Sequence, residues 1–423
     1  MDKILKDPQF QQILAQLAEQ QKESVESLTR EAAVYLREMR SKQSPMANAI
    51  WIEFIRRVSL RGYDQFIDVN PAEIRKLTRL SRRHPIAYTL THKTYIDTLV
   101  LSLVLSRHGM PLPYTFAGAN LDLPVFGDLS RQIGSIFIRR SFKDNFVYKW
   151  TLRYFIASLL NEKAHFMWAI EGTRSRTGKL VWPKMGILKY ILESEQDSNL
   201  EVKYIPTSIV YDLIPDVKKM TEEGLGKGKN PENIMWLFNY LRQIGGKFGR
   251  ISIRFDDPVD LVAKHSSIIP DQETSPFETG KPSVSKFAFE LVHHINQITP
   301  VTTVSLICIS LLSKYALTKK AIELDVMDMM QFIESKKSDA LVDRGTPIAE
   351  GVQYALNLMS QADMIKQQGE GVNVKYFINT DQYLSATYYA NMAVHHLYHR
   401  AFIELALVKI QSGKHEDRYL TFW

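Results

Sequence analysis

Apolar residues recur at helical spacing through the first forty positions. Phe10, Ile13, Leu14 and Leu17 form one stripe, and Val25, Leu28, Ala32 and Leu36 continue it, which predicts helix over 8–40. Trp51, Ile52, Phe54, Ile55 and Val58 predict a second helix over 44–60. Asn70 as a cap and Pro71 at the first helical position open a third over 71–83. Residues 1–83 are therefore expected to form a helical N-terminal domain whose stripes are packing faces.

From residue 84 the pattern changes. Short apolar, β-branched or aromatic runs at 85–90, 113–118, 135–139, 165–170, 203–210 and 250–255 read as strands. Helical stretches at 94–108, 144–162 and 183–194 lie between them. This alternation predicts an α/β layered domain over 84–265 with a largely parallel central sheet. A ligand site is expected where the strands end at their C-termini. Pro206 marks its run as an edge strand or a bulge. Residues 212–230 read as a loop rich in glycine and lysine, followed by an aromatic helix over 231–244. Lys227–Leu241 is a candidate membrane contact, with a packed core helix as the plainer alternative. Residues 266–285 read as a linker, and 286–423 as a mainly helical C-terminal region. Its helices are expected at 286–321, 325–336, 348–363 and 382–411, with a short strand within 370–378.

Composition narrows the function. Of 423 residues, 45% are hydrophobic, enough for a sizeable core in two or three domains. The net charge of +7 suits phosphorylated ligands or an anionic membrane face. There is no dense basic block and no aromatic RNA-binding signature, so nucleic acid is not an expected partner. A single cysteine, Cys308, sits in an apolar run, which excludes a disulfide framework and predicts a buried thiol. No His/Cys/Glu set has metal-ligand spacing, so no metal is expected. His293–His294 and His395–His396 are adjacent pairs, which face different sides of a helix. The N-terminus lacks signal-peptide character, and no apolar run reaches the ~18 residues of a spanning helix. A membrane role would be peripheral, on the cytoplasmic side.

Four chemistry-bearing clusters fall at predicted strand ends. Thr91-His-Lys-Thr-Tyr-Ile-Asp97 places His92 on a strand-to-helix turn and Asp97 in the first helical turn. A neutral imidazole there can take a proton from an alcohol, and a carboxylate on its other nitrogen fixes the tautomer. A capped helix beside a surface histidine is the simpler reading of that stretch alone. Gly134 to Phe142 delivers Arg139 and Arg140, whose guanidinium forks suit a phosphate or a surface salt bridge. Phe166 to Gly178 runs from an apolar strand into Glu171, Gly172, Thr173, Arg174, Ser175 and Arg176, followed by Lys179 and Lys184. That turn favours anions, but it is not a Walker loop. Tyr204 to Asp212 is weak by itself.

In their order and spacing the four clusters resemble the glycerolipid acyltransferase superfamily. His92-x-x-x-x-Asp97 matches its first block, Gly134–Arg140 the second, Glu171–Arg176 the third and the Pro206 strand the fourth. The extended forms around His92 and Glu171 look most like the glycerol-3-phosphate/dihydroxyacetone phosphate acyltransferase branch. Ile295–Leu306 also resembles that branch's C-terminal region, and large bacterial members run longer at both ends. The resemblance implies that His92 and Asp97 are catalytic. It implies that Arg139, Arg140, Glu171, Gly172, Thr173, Arg174, Arg176 and Lys184 bind substrate. Transfer of a long-chain acyl group from a thioester, acyl-CoA or acyl-carrier protein, to the sn-1 hydroxyl of glycerol-3-phosphate would need no other cofactor. Dihydroxyacetone phosphate and 1-acylglycerol-3-phosphate are the alternative acceptors. A non-catalytic lipid-binding protein is the alternative from another class, and the intact dyad argues against it.

Overall fold

The structure is a computed structural model. It describes residues 2–412 apart from 60, 120–121, 123–125, 140–141, 143–144, 199, 227–244, 261–282, 337–339 and 343–344. The expected linker at 266–285 and the Lys227–Leu241 segment lie mostly or wholly outside the described residues.

Seven strands form the main sheet: β1 (Tyr63–Val69), β2 (Ile86–Leu90), β3 (Tyr114–Gly118), β4 (Ser135–Ile138), β5 (Phe166–Ala169), β6 (Lys203–Tyr211) and β7 (Gly249–Phe255). Their order is β1-β7-β6-β2-β5-β3-β4. The five strands from β6 to β4 run parallel, β7 is antiparallel to β6, and β1 is parallel to β7. The expected α/β layered fold with a largely parallel sheet is therefore observed, with β2 at its centre.

Successive side chains of β2 point to opposite faces, and the two cores divide accordingly. Tyr88 and Leu90 join a core that includes Val100, Leu101, Ile307, Leu311 and Tyr389. Ala87 joins the opposite core with Phe10, Leu14, Leu28, Leu36, Tyr148 and Phe287. The helices Pro8–Gln21 and Val25–Met39 and the helix Val284–Gln297 thus share the core of one face, and the helix Pro71–Ser81 and the helices from Thr303 to Ala393 share that of the other.

Some elements correct the expectations. The N-terminal stretch is not purely helical, because β1 enters the sheet. Its alternation is short and broken in the sequence by Gln65 in the row of Tyr63 and Ile67 and by Phe66 in the row of Asp64 and Asp68, and an edge strand needs only one buried face. Helix over 8–40 divides into Pro8–Gln21 and Val25–Met39 where Lys22 turns left-handed at φ 57°. Asp7 and Ser24 cap the two pieces. Helix over 286–321 divides into Val284–Gln297 and Thr303–Lys314, since Pro300 cannot continue it and Thr302 caps the second piece. Pro206 lies on an interior strand, between β2 and β7. Its missing N–H is tolerated because the β6–β7 ladder is irregular there. Asp256, Asp257 and Pro258 oppose Ile205 and Pro206 between the Thr207–Phe255 and Tyr204–Val259 pairs, so the bulge alternative is the observed one. A second sheet of β8 (Ala316–Thr318), β9 (Ile365–Gln368) and β10 (Lys375–Ile378) has the order β8-β10-β9, where one short strand was expected.

Candidate active site

β2 ends at Leu90, and the chain turns through Thr91–Ile96 into the helix Asp97–Arg107. Asp97 is 2% exposed and sits at the start of that helix. Its Oδ2 accepts from the backbone N–H groups of Lys93 at 2.8 Å and Thr94 at 3.0 Å. Those two bonds wrap the turn around the carboxylate. His92 Nδ1 lies 3.1 Å from the same oxygen, and Tyr211 donates its hydroxyl to Oδ1 at 2.7 Å. An ionised carboxylate only accepts, so His92 carries its proton on Nδ1 and keeps a lone pair on Nε2. The imidazole is partly exposed while its partner is buried. This arrangement can take a proton from a hydroxyl presented to Nε2.

The third cluster holds the His92 backbone from two sides. Glu171 follows β5, the parallel neighbour of β2, and is 1% exposed. Glu171 Oε1 accepts from the His92 N–H at 2.8 Å, and Oε2 accepts from the Val181 N–H at 3.0 Å. The Ser175 N–H donates to the His92 carbonyl at 2.8 Å. Burial pushes the Glu171 carboxyl up, against the two N–H bonds and the charge of Lys93. Gly172 has φ +64°, and a Cβ on it would come within 2.8 Å of Lys184 Cγ. The left-handed turn lets Lys184 lie across the loop.

The cationic residues have separate destinations. Arg174 is 7% exposed, donates to Asp216 Oδ2 at 2.6 Å and stacks 3.9 Å from the Tyr95 ring centroid. Arg176 donates to Thr173 Oγ1 at 3.3 Å and to the Arg174 carbonyl, and lies 3.4 Å from Glu223 Oε2. Lys184 is exposed. Arg139 lies at the end of β4, the opposite edge of the sheet from β1, with β3 and β5 between it and β2. It binds Glu38 through Nε at 3.0 Å and Nη2 at 2.7 Å, and its guanidinium sits over Tyr35 and Tyr148. The structure therefore gathers His92, Asp97 and the Glu171–Arg176 loop and leaves Arg139 apart. Arg140 lies outside the described residues.

Several contributors escaped the sequence reading. Tyr211 falls inside the fourth cluster but was given no role, and Asp216 lies beyond it; the signal for Tyr211 was a polar group closing an apolar strand that runs parallel to β2. Glu171 is expected to bind substrate, but its two carboxylate oxygens are occupied by backbone N–H groups. Lys93, inside the motif, is buried at 4% exposure. The histidine pairs are structural: His294 Nδ1 lies 2.8 Å from Asp256, while His395 and His396 face the carbonyls of Asn296 and Thr299. No group of three or more potential metal ligands occurs among the described residues. Cys308 is buried, and burial pushes its thiol up.

Comparison with known proteins matches residues 71–210 to an acyltransferase family model and residues 220–421 to the glycerol-3-phosphate acyltransferase C-terminal region. A Mycobacterium tuberculosis (strain H37Rv) protein that carries the name acyltransferase plsB1 is 32% identical over 406 residues, 94% of this chain and 63% of that protein. A glycerol-3-phosphate acyltransferase of Ectopseudomonas mendocina is 27% identical over 93% of this chain and 48% of its own length. The chain thus spans about half to just under two thirds of these curated relatives. The crystal structure of the 1-acyl-sn-glycerophosphate acyltransferase PlsC from Thermotoga maritima aligns with a TM-score of 0.33 at 18% identity, covering 62% of this chain and 85% of that one. With one model over the sheet that carries His92 and the other over the helices beyond it, the chain belongs to the glycerol-3-phosphate acyltransferase family.

Proposed function

We propose that this chain transfers a long-chain fatty acyl group from a thioester, acyl-CoA or acyl-carrier protein, to the sn-1 hydroxyl of glycerol-3-phosphate. This would be the first step of phospholipid synthesis. The observation that carries the reading is the buried Asp97 carboxylate, which three donors hold against His92. His92 Nε2 takes the hydroxyl proton as the oxygen attacks the thioester carbonyl. The tetrahedral intermediate collapses with cleavage of the C–S bond, and the imidazolium returns the proton to the leaving thiolate. No acyl-enzyme forms and no cofactor is required.

Arg174, Arg176 and Lys184, with Thr173 on the same loop, are assigned to the acceptor phosphate, and Arg140, outside the described residues, is assigned there from its motif alone. The Gly172 turn brings these cations to the same loop that holds His92. Fixing the phosphate places the hydroxyl, and positioning supplies much of the rate. Arg139 is left out because Glu38 already occupies its fork. The protein works at the cytoplasmic membrane face as a peripheral protein. Exposed Met46 and Ile50 on the helix Pro45–Phe54, and Phe402 and Leu405 on the helix Tyr398–Ser412, support that location. No helix among the described residues is long and apolar enough to cross a membrane. Sedimentation with anionic vesicles tests the location, and protein left wholly in the supernatant would count against it.

The central test incubates the full chain with palmitoyl-CoA and, separately, glycerol-3-phosphate, dihydroxyacetone phosphate and 1-acylglycerol-3-phosphate. Thiol release is followed for each. The expected result is fastest release with glycerol-3-phosphate and a 1-acyl product. Faster release with another acceptor would reassign the substrate, and release with none would remove the reading.

A further inference from the structure

Lys93 stands between the two catalytic-motif residues and points away from the solvent. Its side chain is buried, and among the described residues Nζ makes one hydrogen bond, to Thr91 Oγ1 at 3.2 Å. It lines a cavity of about 20 Å³ together with Glu171, Ser175, Lys179, Asn296 and His395. That volume holds about one water. The cavity lies between the Glu171 loop and the C-terminal helices. There Asn391 donates to the Thr177 carbonyl at 2.8 Å, and a Cβ on Gly178 would come within 2.0 Å of the Tyr388 carbonyl. Lys93 is 4% exposed, and a buried ammonium needs a counter-charge. Burial pushes the ammonium down, and the charges of Glu171, which lines the same cavity, and of Asp97 act against that; each of the two carboxylates holds a part of His92.

We propose that Lys93 is a positioning residue whose buried ammonium keeps Glu171 an ionised clamp on the His92 backbone. A carboxylate can accept from both the His92 and the Val181 N–H, whereas a protonated carboxyl loses acceptor strength at one oxygen. The inference rests on the acyl-transfer reading of His92. The charges and titratable groups that face Glu171 and Lys93 are His92 and Asp97 from the turn, Lys179 and Lys184 from the Glu171 loop, and Tyr388 and His395 from the C-terminal helices. His395 contributes no positive charge near neutrality, because burial pushes it down to about 3. Burial already pushes Glu171 up, so losing the Lys93 charge moves its protonation to still higher pH. The sign follows: the acid limb of activity shifts to higher pH, and the loss shrinks as pH rises.

The test measures kcat and KM against pH for the full-length wild type, Lys93→Met and Lys93→Arg, with palmitoyl-CoA and glycerol-3-phosphate. Lys93→Met is expected to lower kcat at neutral pH by on the order of 10- to 100-fold, with both KM values within about twofold. Its acid limb moves up, and Lys93→Arg keeps the wild-type acid limb. If Lys93→Met does not fold by circular dichroism, Lys93→Gln, which keeps a donor without charge, is held to the same profile. A pH-independent loss, a change confined to KM, or an unchanged profile would overturn the proposal. Wild-type inactivity with every acceptor would instead strike the acyl-transfer reading beneath it.

Discussion

Arg174 and Arg139 follow two strands of one sheet, and the molecule uses them differently. Arg174 is almost fully buried beside the His92 turn and commits one nitrogen to Asp216 while its face stacks on Tyr95. Arg139 is 40% exposed at the sheet edge, and both Nε and Nη2 are taken by Glu38. A fork filled by a bidentate carboxylate has little left for a phosphate, whereas a singly bonded one retains donors. Arginine at a strand end is therefore not yet an anion site. The deciding fact is which of its donors the protein has already claimed.

The largest effect expected is at the base that the arginines would serve. His92→Ala removes the proposed proton acceptor, and kcat should fall by about 10²–10⁴-fold or more without loss of fold. Thiol-release kinetics with circular dichroism checks both halves of that statement. A folded, fully active His92→Ala protein would dissolve the comparison, since there would be no centre for Arg174 to be near. Asp97 offers no such clean change. Asparagine there would aim an amide donor among donors, and the wrong imidazole tautomer would follow.

Next in size is the contrast between the arginines themselves. Arg174→Ala is expected to raise KM for glycerol-3-phosphate by about 10- to 100-fold, with KM for palmitoyl-CoA nearly unchanged. Part of any accompanying stability loss belongs to Asp216, which would be left buried without its ion pair, so the melting temperature should be recorded alongside. A rise in KM for the acyl donor instead would move the phosphate site away from this loop.

The difference between the arginines also marks how far the sequence could be read. The His92–Asp97 spacing on a strand-to-helix turn was legible because local periodicity determines both elements, and the structure places both residues as expected. The five parallel strands were legible as short apolar and aromatic runs, four of them buried along nearly their whole length and β3 half-buried. β1 was not, since only one face is buried and Phe66 on the other is 74% exposed. Tyr211 lies 114 residues from Asp97, and Glu38 lies 101 residues from Arg139. No local pattern announces such partners, because they follow from sheet order and helix packing. The role of Glu171 was hidden for a related reason. A carboxylate that binds backbone N–H groups and one that binds substrate are the same letter in a sequence.

The smallest effect expected lies at the edge. Arg139→Ala should leave both KM values within about twofold and lower the melting temperature by only a few degrees. A partly exposed bidentate pair contributes about 1 kcal/mol or less, and stacking over Tyr35 and Tyr148 adds a similar amount. The pair joins β4 to the helix Val25–Met39, so its loss acts on the seam between the N-terminal helices and the sheet. A double-mutant cycle with Glu38→Ala separates the terms. If the role is structural, Glu38→Ala and the double variant destabilise less than additively while KM stays flat. A phosphate role gives another pattern: Glu38→Ala would release the fork and lower KM for glycerol-3-phosphate, and Arg139→Ala would raise it. That result would place the acceptor across the sheet toward β4 and make the present ion pair a competitor of the substrate.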